Sequence, residues 1–463
     1  MQRLLIFSLQ LSFYTFGSLA FLMCFRSILI SNNDAVAFLI SFIVSFIIAY
    51  FFKPLYLNTD FKKKSLLITV FYAWILFIFI SSIPFFLLFN FYDIIKIIFI
   101  STSFFTTTGL SPNDIDVFRS NRSLVIWGSL VQLMGGFFSI LTYILYFLIL
   151  YNQQNKFIVF DKKLVIKFFV YFFLLFFLYL IILNATVHDL FISFMLSSAI
   201  ISTGGVVGAN GHLLDYYTSQ DAFLYLYSGL ILVTMFLLPL FLYFHNFKIF
   251  INYYLKIIKR CFFLLVILIL VFFFILHNNN LSMADNIFIF FSFLTTTGLL
   301  SNNSASFQEI SSLFFIFLFL IFLGGIAGSS GGGLKIDRVS LIFLKIKDEL
   351  IKLTLQHKIQ GIEIVKKGSN QKELNSLYSI IALGLFSIII AILLLTFTGN
   401  NIFESFVFSI ASLTNTGDGF LIINGTSLKK TSGIYLILNF LMICGRFEII
   451  GYLLIFKKLS QKT

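Results

Sequence analysis

Charge is scarce in this chain. Only 11% of its 463 residues are Asp, Glu, Lys or Arg, against about a quarter in a soluble globular protein. Too few ionisable side chains are present to cover a water-facing surface, which excludes a soluble protein and leaves an integral membrane one. Cysteine is rarer still. Cys24, Cys261 and Cys444 lie in apolar stretches without CxxC spacing, which excludes a disulfide framework or a thiolate metal cluster and leaves buried free thiols. His188, His212 and His277 stand at scattered spacings that do not suit a metal site. No Ser/His/Asp set, HExxH motif or paired-carboxylate arrangement is present, so the chain is not expected to be an enzyme.

Apolar length, by contrast, is abundant. The chain is 59% hydrophobic, contains 66 phenylalanines and has a mean hydropathy of +1.00. The phenylalanines suit lipid-facing and helix-packing surface. A helix needs ~20 apolar residues to cross the hydrocarbon layer, and long runs lie near 4–30, 35–52, 65–90, 123–150, 163–184, 222–247, 261–277, 309–347, 377–398 and 432–456. The first run is too long for a signal peptide and lacks a small-residue cleavage site, so it reads as a retained helix. Shorter apolar runs at 93–105, 189–201, 285–294 and 401–413 are of a length that more often re-enters than spans.

The few charges orient the chain. With both termini cytoplasmic, 25 Lys and Arg fall inside and 6 outside, while Arg446 lies within a span. Of the acidic residues, 11 fall outside and 7 inside, and Glu448 lies within a span. This is the positive-inside pattern of a multi-pass protein of the cytoplasmic (inner) membrane. The formal charge of +13 divides into +18 inside and −5 outside. A basic excess that would suggest nucleic acid in a soluble protein therefore calls for no such partner here, and the outer face attracts cations.

Four segments repeat: IFISTSFFTTTGL ending at Leu110, FMLSSAIISTGGV ending at Val206, FIFFSFLTTTGL ending at Leu299, and FVFSIASLTNTGD ending at Asp418. Each is an apolar run closing on Thr-Gly, with glycines at 109, 204, 298 and 417 separated by 95, 94 and 119 residues. Each unit reads as span, short re-entrant run, Thr-Gly loop, span, with all four loops entering from outside. Non-helical backbone at membrane depth is tolerated only where it is buried in protein or lines a water-filled cavity, and four loops about one axis provide both. Glycine accepts the dihedrals that turn successive carbonyls toward that axis, and a ring of carbonyls can replace a cation's hydration shell.

These repeats resemble the Trk/Ktr superfamily of potassium transporters. The resemblance covers roughly residues 65 to 456. It implies an all-α integral membrane fold with four pseudo-symmetric helix/pore-loop/helix repeats around one ion pore, preceded by two extra transmembrane helices. The family's one near-invariant glycine per loop corresponds here to Gly109, Gly204, Gly298 and Gly417. The residues before them, Thr107 and Thr108, Ser202 and Thr203, Thr296 and Thr297, and Asn415 and Thr416, should offer the carbonyls that coordinate potassium. No loop has the two glycines around a tyrosine of a potassium-channel filter. Asp418, just after the fourth glycine, suits either a simple turn or added negative potential at the outer mouth.

Two further motifs agree. GGIAGSSGGGLK runs from Gly324 to Lys335 and includes Gly325, Gly328, Gly331, Gly332 and Gly333. So many glycines cannot stay helical in lipid without support. The segment resembles the family's intramembrane gating loop, while the GxxxG from Gly324 to Gly328 also suits close helix packing. A phosphate-binding P-loop fails because Gly333 is followed by Leu334, Lys335 and Ile336. MICGRFEIIG places Arg446 in apolar sequence, where an arginine costs ~2.5 to 3.5 kcal/mol on insertion scales and normally faces a cavity or a partner. It resembles the family's last-helix arginine near the gate; a snorkelling arginine is the plainer reading. The Trk branch typically has Gly-Arg-Leu-Glu here, and Phe447 departs at the third position. The helices at 4–52 and the AGSS form of the glycine-rich loop favour the Trk branch, with lesser matches at Trp74, Pro84 and Gln132 to Gly136.

The expected organisation is two N-terminal helices in 1–60, repeats in 61–155, 156–255, 256–350 and 377–463, and a basic cytoplasmic segment in 351–376. That segment, with Lys352, Lys358, Lys366 and Lys367, is either a solvated linker or a docking surface. The resemblance implies potassium as the transported ion, a homodimer with one pore per protomer, and a cytosolic nucleotide-binding regulatory subunit. No organic cofactor is expected in this chain. Alternatives are an ion-translocating subunit of an ATP-driven potassium pump, or a sodium/proton-coupled cation symporter. A carrier of organic solutes with broken helices would predict inverted two-fold repeats, whereas these repeats are fourfold and share one orientation.

Overall fold

A computed structural model describes residues 2–30, 34–57, 63–89, 93–112, 121–151, 162–205, 220–240, 258–259, 261–262, 265–273, 282–301, 311–354, 369–426 and 432–447. Lys358, Lys366, Lys367, His212, His277 and Glu448 lie outside the described residues. The helices are α1 (Gln2–Leu29), α2 (Ala35–Leu57), α3 (Lys63–Leu88), α4 (Ile94–Phe105), α5 (Arg122–Tyr151), α6 (Lys162–Val187), α7 (Leu190–Ser202), α8 (Asp221–Leu240), α9 (Met283–Leu294), α10 (Ser311–Leu323), α11 (Ile336–Thr354), α12 (Ser369–Phe397), α13 (Ile402–Leu413), α14 (Asp418–Ile423) and α15 (Ser432–Arg446). Residues 265–273 are helical as well. Seven helices among the described residues, α1, α2, α3, α5, α6, α8 and α12, are long and apolar enough to cross a membrane.

Four short helices, α4, α7, α9 and α13, stand apart from these. At 12 or 13 residues each is roughly 18 to 20 Å long, too short for a ~30 Å hydrocarbon layer. Each starts on a polar cap that satisfies its first N–H groups. Asp93 accepts from the Ile95 and Lys96 amides at 3.0 and 3.2 Å, and Asp189 from Phe191 and Ile192 at 2.8 and 3.3 Å. The Ser282 hydroxyl accepts from the Asp285 amide at 3.1 Å, and the Glu404 carboxylate from the Asn401 amide at 3.1 Å.

Each of the four short helices packs between two neighbouring helices. α4 lies between α3 and α5, α7 between α5 and α6, α9 between α8 and α10, and α13 between α12 and α15. α15, the last helix among the described residues, also packs on α4, the first of the short helices. Trp74 is fully buried, edge-on to Phe105 at 5.0 Å, and Ser101 of α4 donates to the Ile78 carbonyl of α3 at 2.7 Å. α1 packs along α2 and reaches α3 and α5, with Phe13 stacked on Phe77 at a centroid distance of 4.0 Å. Large apolar side chains such as Ile181, Phe315 and Phe397 are instead exposed on the outside, as a lipid-facing surface requires.

The apolar run 309–347 is not one span. α10 stops at Leu323, the chain is non-helical from Gly324 to Lys335, and α11 restarts at Ile336. Gly324 and Gly333 have φ of +64° and +74°, the left-handed region that glycine reaches at little cost. The segment doubles back: Leu334 donates to the Phe322 carbonyl at 2.8 Å and Ile336 to that of Gly325 at 3.0 Å. Cys24, Cys261 and Cys444 are buried and in no disulfide.

Candidate functional site

The four short helices end in the same turn. In the first, Thr107 takes φ +51° and its amide donates to Phe104, while the Thr108 amide donates to Ser103. The same bonds join Thr203 to Ile200 and Gly204 to Ala199, Thr296 to Phe293 and Thr297 to Ser292, and Asn415 to Ser412 and Thr416 to Ala411. Thr203, Thr296 and Asn415 likewise have positive φ, at +51°, +60° and +54°. A β-carbon residue held left-handed stores on the order of 1 kcal/mol, and the recurrence at four helix ends marks a shared geometry.

This turn sets a register that differs from the spacing in one loop. Thr108, Gly204, Thr297 and Thr416 are equivalent, so the glycine that follows in the second loop is Gly205, not Gly204. The next-loop contacts agree. A Cβ on Gly109 would lie 2.9 Å from the Gly205 Cα, and one on Gly205 would strike the Thr297 carbonyl oxygen. One on Gly298 would strike the Thr416 oxygen, and one on Gly417 the Thr108 oxygen. The glycines therefore form a closed cycle from first loop to second, third, fourth and back to first, and Gly204 is not a member. Gly109, Gly298 and Gly417 have φ of +82°, +68° and +82°, and Gly205 stands outside that region.

The predicted residues are brought together. Thr107, Thr108, Ser202, Thr203, Thr296, Thr297, Asn415 and Thr416 are all buried at the cycle. Four helix C-termini converge there, each with the partial negative charge of unpaired carbonyls, about half an elementary charge. A cation is the species that such a centre favours. Asn415 replaces the threonine of the other loops, and its amide nitrogen donates to the Thr108 hydroxyl at 2.8 Å and the Met442 carbonyl at 3.0 Å. The Asp418 amide donates to the Gly109 carbonyl at 3.1 Å, and its carboxylate accepts from the Ser111 amide at 3.0 Å and from the Ser111 hydroxyl. Asp418 thus staples the fourth loop to the first. Hydrogen bonds to a charged partner are worth about 1.5 to 3 kcal/mol, so Asp418→Ala should lower the Tm of the purified protein, and Asp418→Asn less so.

The glycine-rich segment lies against the same four helix ends. The Ser330 hydroxyl donates to the Ile201 carbonyl at 2.7 Å, and the Gly332 amide to the Thr296 hydroxyl at 2.6 Å. A Cβ on Gly331 would lie 2.8 Å from the Thr295 carbonyl oxygen, and one on Gly332 would strike that of Thr414. Arg446 supplies the contact to the first loop. Its Nε donates to the Thr106 carbonyl at 2.5 Å, one terminal nitrogen to the Thr107 carbonyl at 3.4 Å and to the Thr107 hydroxyl, and the other to the Ser330 carbonyl. Arg446 is 9% exposed and faces these partners, so it is not a snorkelling residue. Lys335 is also buried, and its Nζ donates to the Ser329 carbonyl at 3.4 Å and to that of Gly331. Asp337 accepts from the Ala327 amide at 2.8 Å and ties the first turn of α11 to the segment.

Sequence reading missed Gly205, hidden in a Gly-Gly pair, and Ser330. It also passed over Thr106, Thr295 and Thr414, whose hydroxyls pair with those of Thr108, Thr297 and Thr416 at 2.7, 2.8 and 2.8 Å. The triplet TTT in two of the loops is the signal that carried them.

No family model matches the chain. Over 170 residues it is 29% identical to the Trk system potassium uptake protein TrkH of Escherichia coli K12 and 28% identical to that of Salmonella typhimurium. Each match takes in 36% of this chain and 34% of the relative, so about a third of the curated relatives' length is spanned. The crystal structure of the potassium transporter TrkH from Vibrio parahaemolyticus superposes with a TM-score of 0.82 over 98% of both chains, at 20% identity. A shared fold over nearly the whole chain and a sequence match over a third of it agree with the resemblance drawn from the motifs: this protein is similar to the Trk-type potassium transporters.

Proposed function

We propose that this protein is a potassium uptake pathway of the cytoplasmic membrane, with both termini inside. In this reading the four helix/loop/helix units surround one pore, after two extra N-terminal helices. The observation that carries it is the closed cycle of close backbone approaches linking Gly109, Gly205, Gly298 and Gly417, at which four helix C-termini meet. Its support from relatives is that the similar proteins are potassium uptake proteins.

Potassium is drawn to an outer face that is net negative. It loses part of its hydration shell to backbone carbonyls of Thr107, Thr108, Thr203, Gly204, Thr296, Thr297, Asn415 and Thr416. Ser202, the last residue of α7, braces the second loop from behind through its bond to the Ser198 carbonyl at 2.6 Å. The segment from Gly324 to Lys335 closes the path beneath the loops. Arg446 and Lys335 place two positive charges there, and like charge at short range opposes an approaching cation. Opening moves the segment away from Ile201, Thr296 and Arg446. Gly324, Gly325, Gly328, Gly331, Gly332 and Gly333 give it the backbone freedom to move.

A homodimer with one pore per protomer and a cytosolic nucleotide-binding regulatory subunit belong to the same proposal. Rubidium uptake in a host lacking its own potassium systems tests it. Saturable uptake that potassium suppresses far better than sodium is expected, and uptake no greater than in empty-vector cells would refute the function.

A further inference from the structure

We propose that Gln132 positions the second loop of the filter, standing in for a side chain that this loop alone lacks, and so helps to set ion selectivity. The inference rests on the filter reading given above.

In three loops one hydroxyl pair fastens the filter backbone to its short helix. Thr108, Thr297 and Thr416 are paired with Thr106, Thr295 and Thr414. The latter three donate in turn to carbonyls one turn back, those of Thr102, Phe291 and Ile410, at 2.7, 2.8 and 2.8 Å. In the second loop Ser202 makes the equivalent bond to Ser198, but the next link is missing because Gly204 has no side chain.

Gln132 fills that volume from another element. A Cβ on Gly204 would lie 2.6 Å from the Gln132 Cδ and 2.8 Å from its Cγ, and would strike its Nε2. Gln132 belongs to α5, which approaches so closely because Gly136, one turn on, lies over Ser202. A Cβ at Gly136 would be 2.6 Å from both the Cα and the Cβ of Ser202. Neither carboxamide atom of Gln132 forms a hydrogen bond among the described residues, although the residue is fully buried. Burying an unpaired amide costs free energy that methionine or leucine of similar volume would avoid. Packing alone therefore does not account for glutamine. Its carboxamide abuts Gly204, whose carbonyl belongs to the proposed coordinating ring.

The test compares rubidium uptake and its competition by potassium and sodium, at matched amounts of folded protein in the membrane. The variants are Gln132→Met, Gly204→Thr, the pair Gln132→Ala with Gly204→Thr, and Gly298→Ser as a control on the filter itself. Gln132→Met keeps the volume and removes the amide, and should lower the potassium-to-sodium preference about tenfold, equivalent to ~1.4 kcal/mol. Gly204→Thr should be impaired because it collides with Gln132, and the pair should regain selectivity because it restores the threonine of the other loops. Unchanged selectivity in Gln132→Met while Gly298→Ser loses it overturns the role of Gln132 and leaves the filter standing. Unchanged selectivity in both overturns the filter reading and this inference with it. Should Gln132→Met fail to fold, the pair decides: no recovery over Gly204→Thr alone overturns the proposal.

Discussion

Gly298→Ser is expected to abolish most discrimination between potassium and sodium, with a loss of tenfold or more in rubidium uptake at low external potassium. Two costs add at this position. The backbone has φ +68°, where a β-carbon costs ~1 to 2 kcal/mol. The new Cβ would also run into the Thr416 carbonyl oxygen, and a backbone atom cannot swing aside as a flexible side chain can. Relief requires moving the fourth loop, whose carbonyl is one of the proposed ligands. Each ~1.4 kcal/mol of lost difference between two ions is a factor of ten in preference. Gly205→Ser meets the Thr297 oxygen and should also lose selectivity, without the left-handed strain, whereas the atoms nearest a Cβ on Gly204 belong to the flexible Gln132 side chain. The larger effect should therefore fall on Gly205, and uptake assays on the two variants check the register directly.

Deleting residues 328–331 should raise rubidium flux several-fold or more. The deletion removes the Ser330 contact to Ile201, the Ser330 carbonyl that holds Arg446, and the carbonyls of Ser329 and Gly331 that hold Lys335. Arg446→Gln should act in the same direction by removing the positive charge beneath the helix ends, with a cost in stability from the Thr106 and Ser330 carbonyls left unpaired. Flux in proteoliposomes from purified variants separates gating from expression. Flux that falls in a folded deletion variant would remove the gate from this segment.

Much of this was legible in the sequence. The short runs at 93–105, 189–201, 285–294 and 401–413 correspond to helices Ile94–Phe105, Leu190–Ser202, Met283–Leu294 and Ile402–Leu413, because apolar length and polar caps are local properties. The glycines between 324 and 335 announced a break that apolar run length alone, over 309–347, concealed. The register of the second loop was not legible. Gly204 and Gly205 are both glycines, and only the left-handed turn at Thr203 and the contact of Gly205 with the Thr297 carbonyl distinguish them. The partners of Arg446 were equally hidden, since Thr106 and Ser330 lie 340 and 116 residues away. Contacts at such separations leave no periodic trace. Gln132 stood in a motif matched for its family resemblance, yet its place behind Gly204 follows from how α5 packs, not from anything in its own neighbourhood.

Anomalous diffraction from crystals grown in rubidium would show whether the four loops bind the ion. A rubidium peak is expected on the axis enclosed by Thr108, Gly204, Thr297 and Thr416, at carbonyl-coordinating distance from all four loops, which weakens when potassium replaces rubidium and persists against sodium. Rubidium bound elsewhere, with that axis empty in protein that still transports, would contradict it.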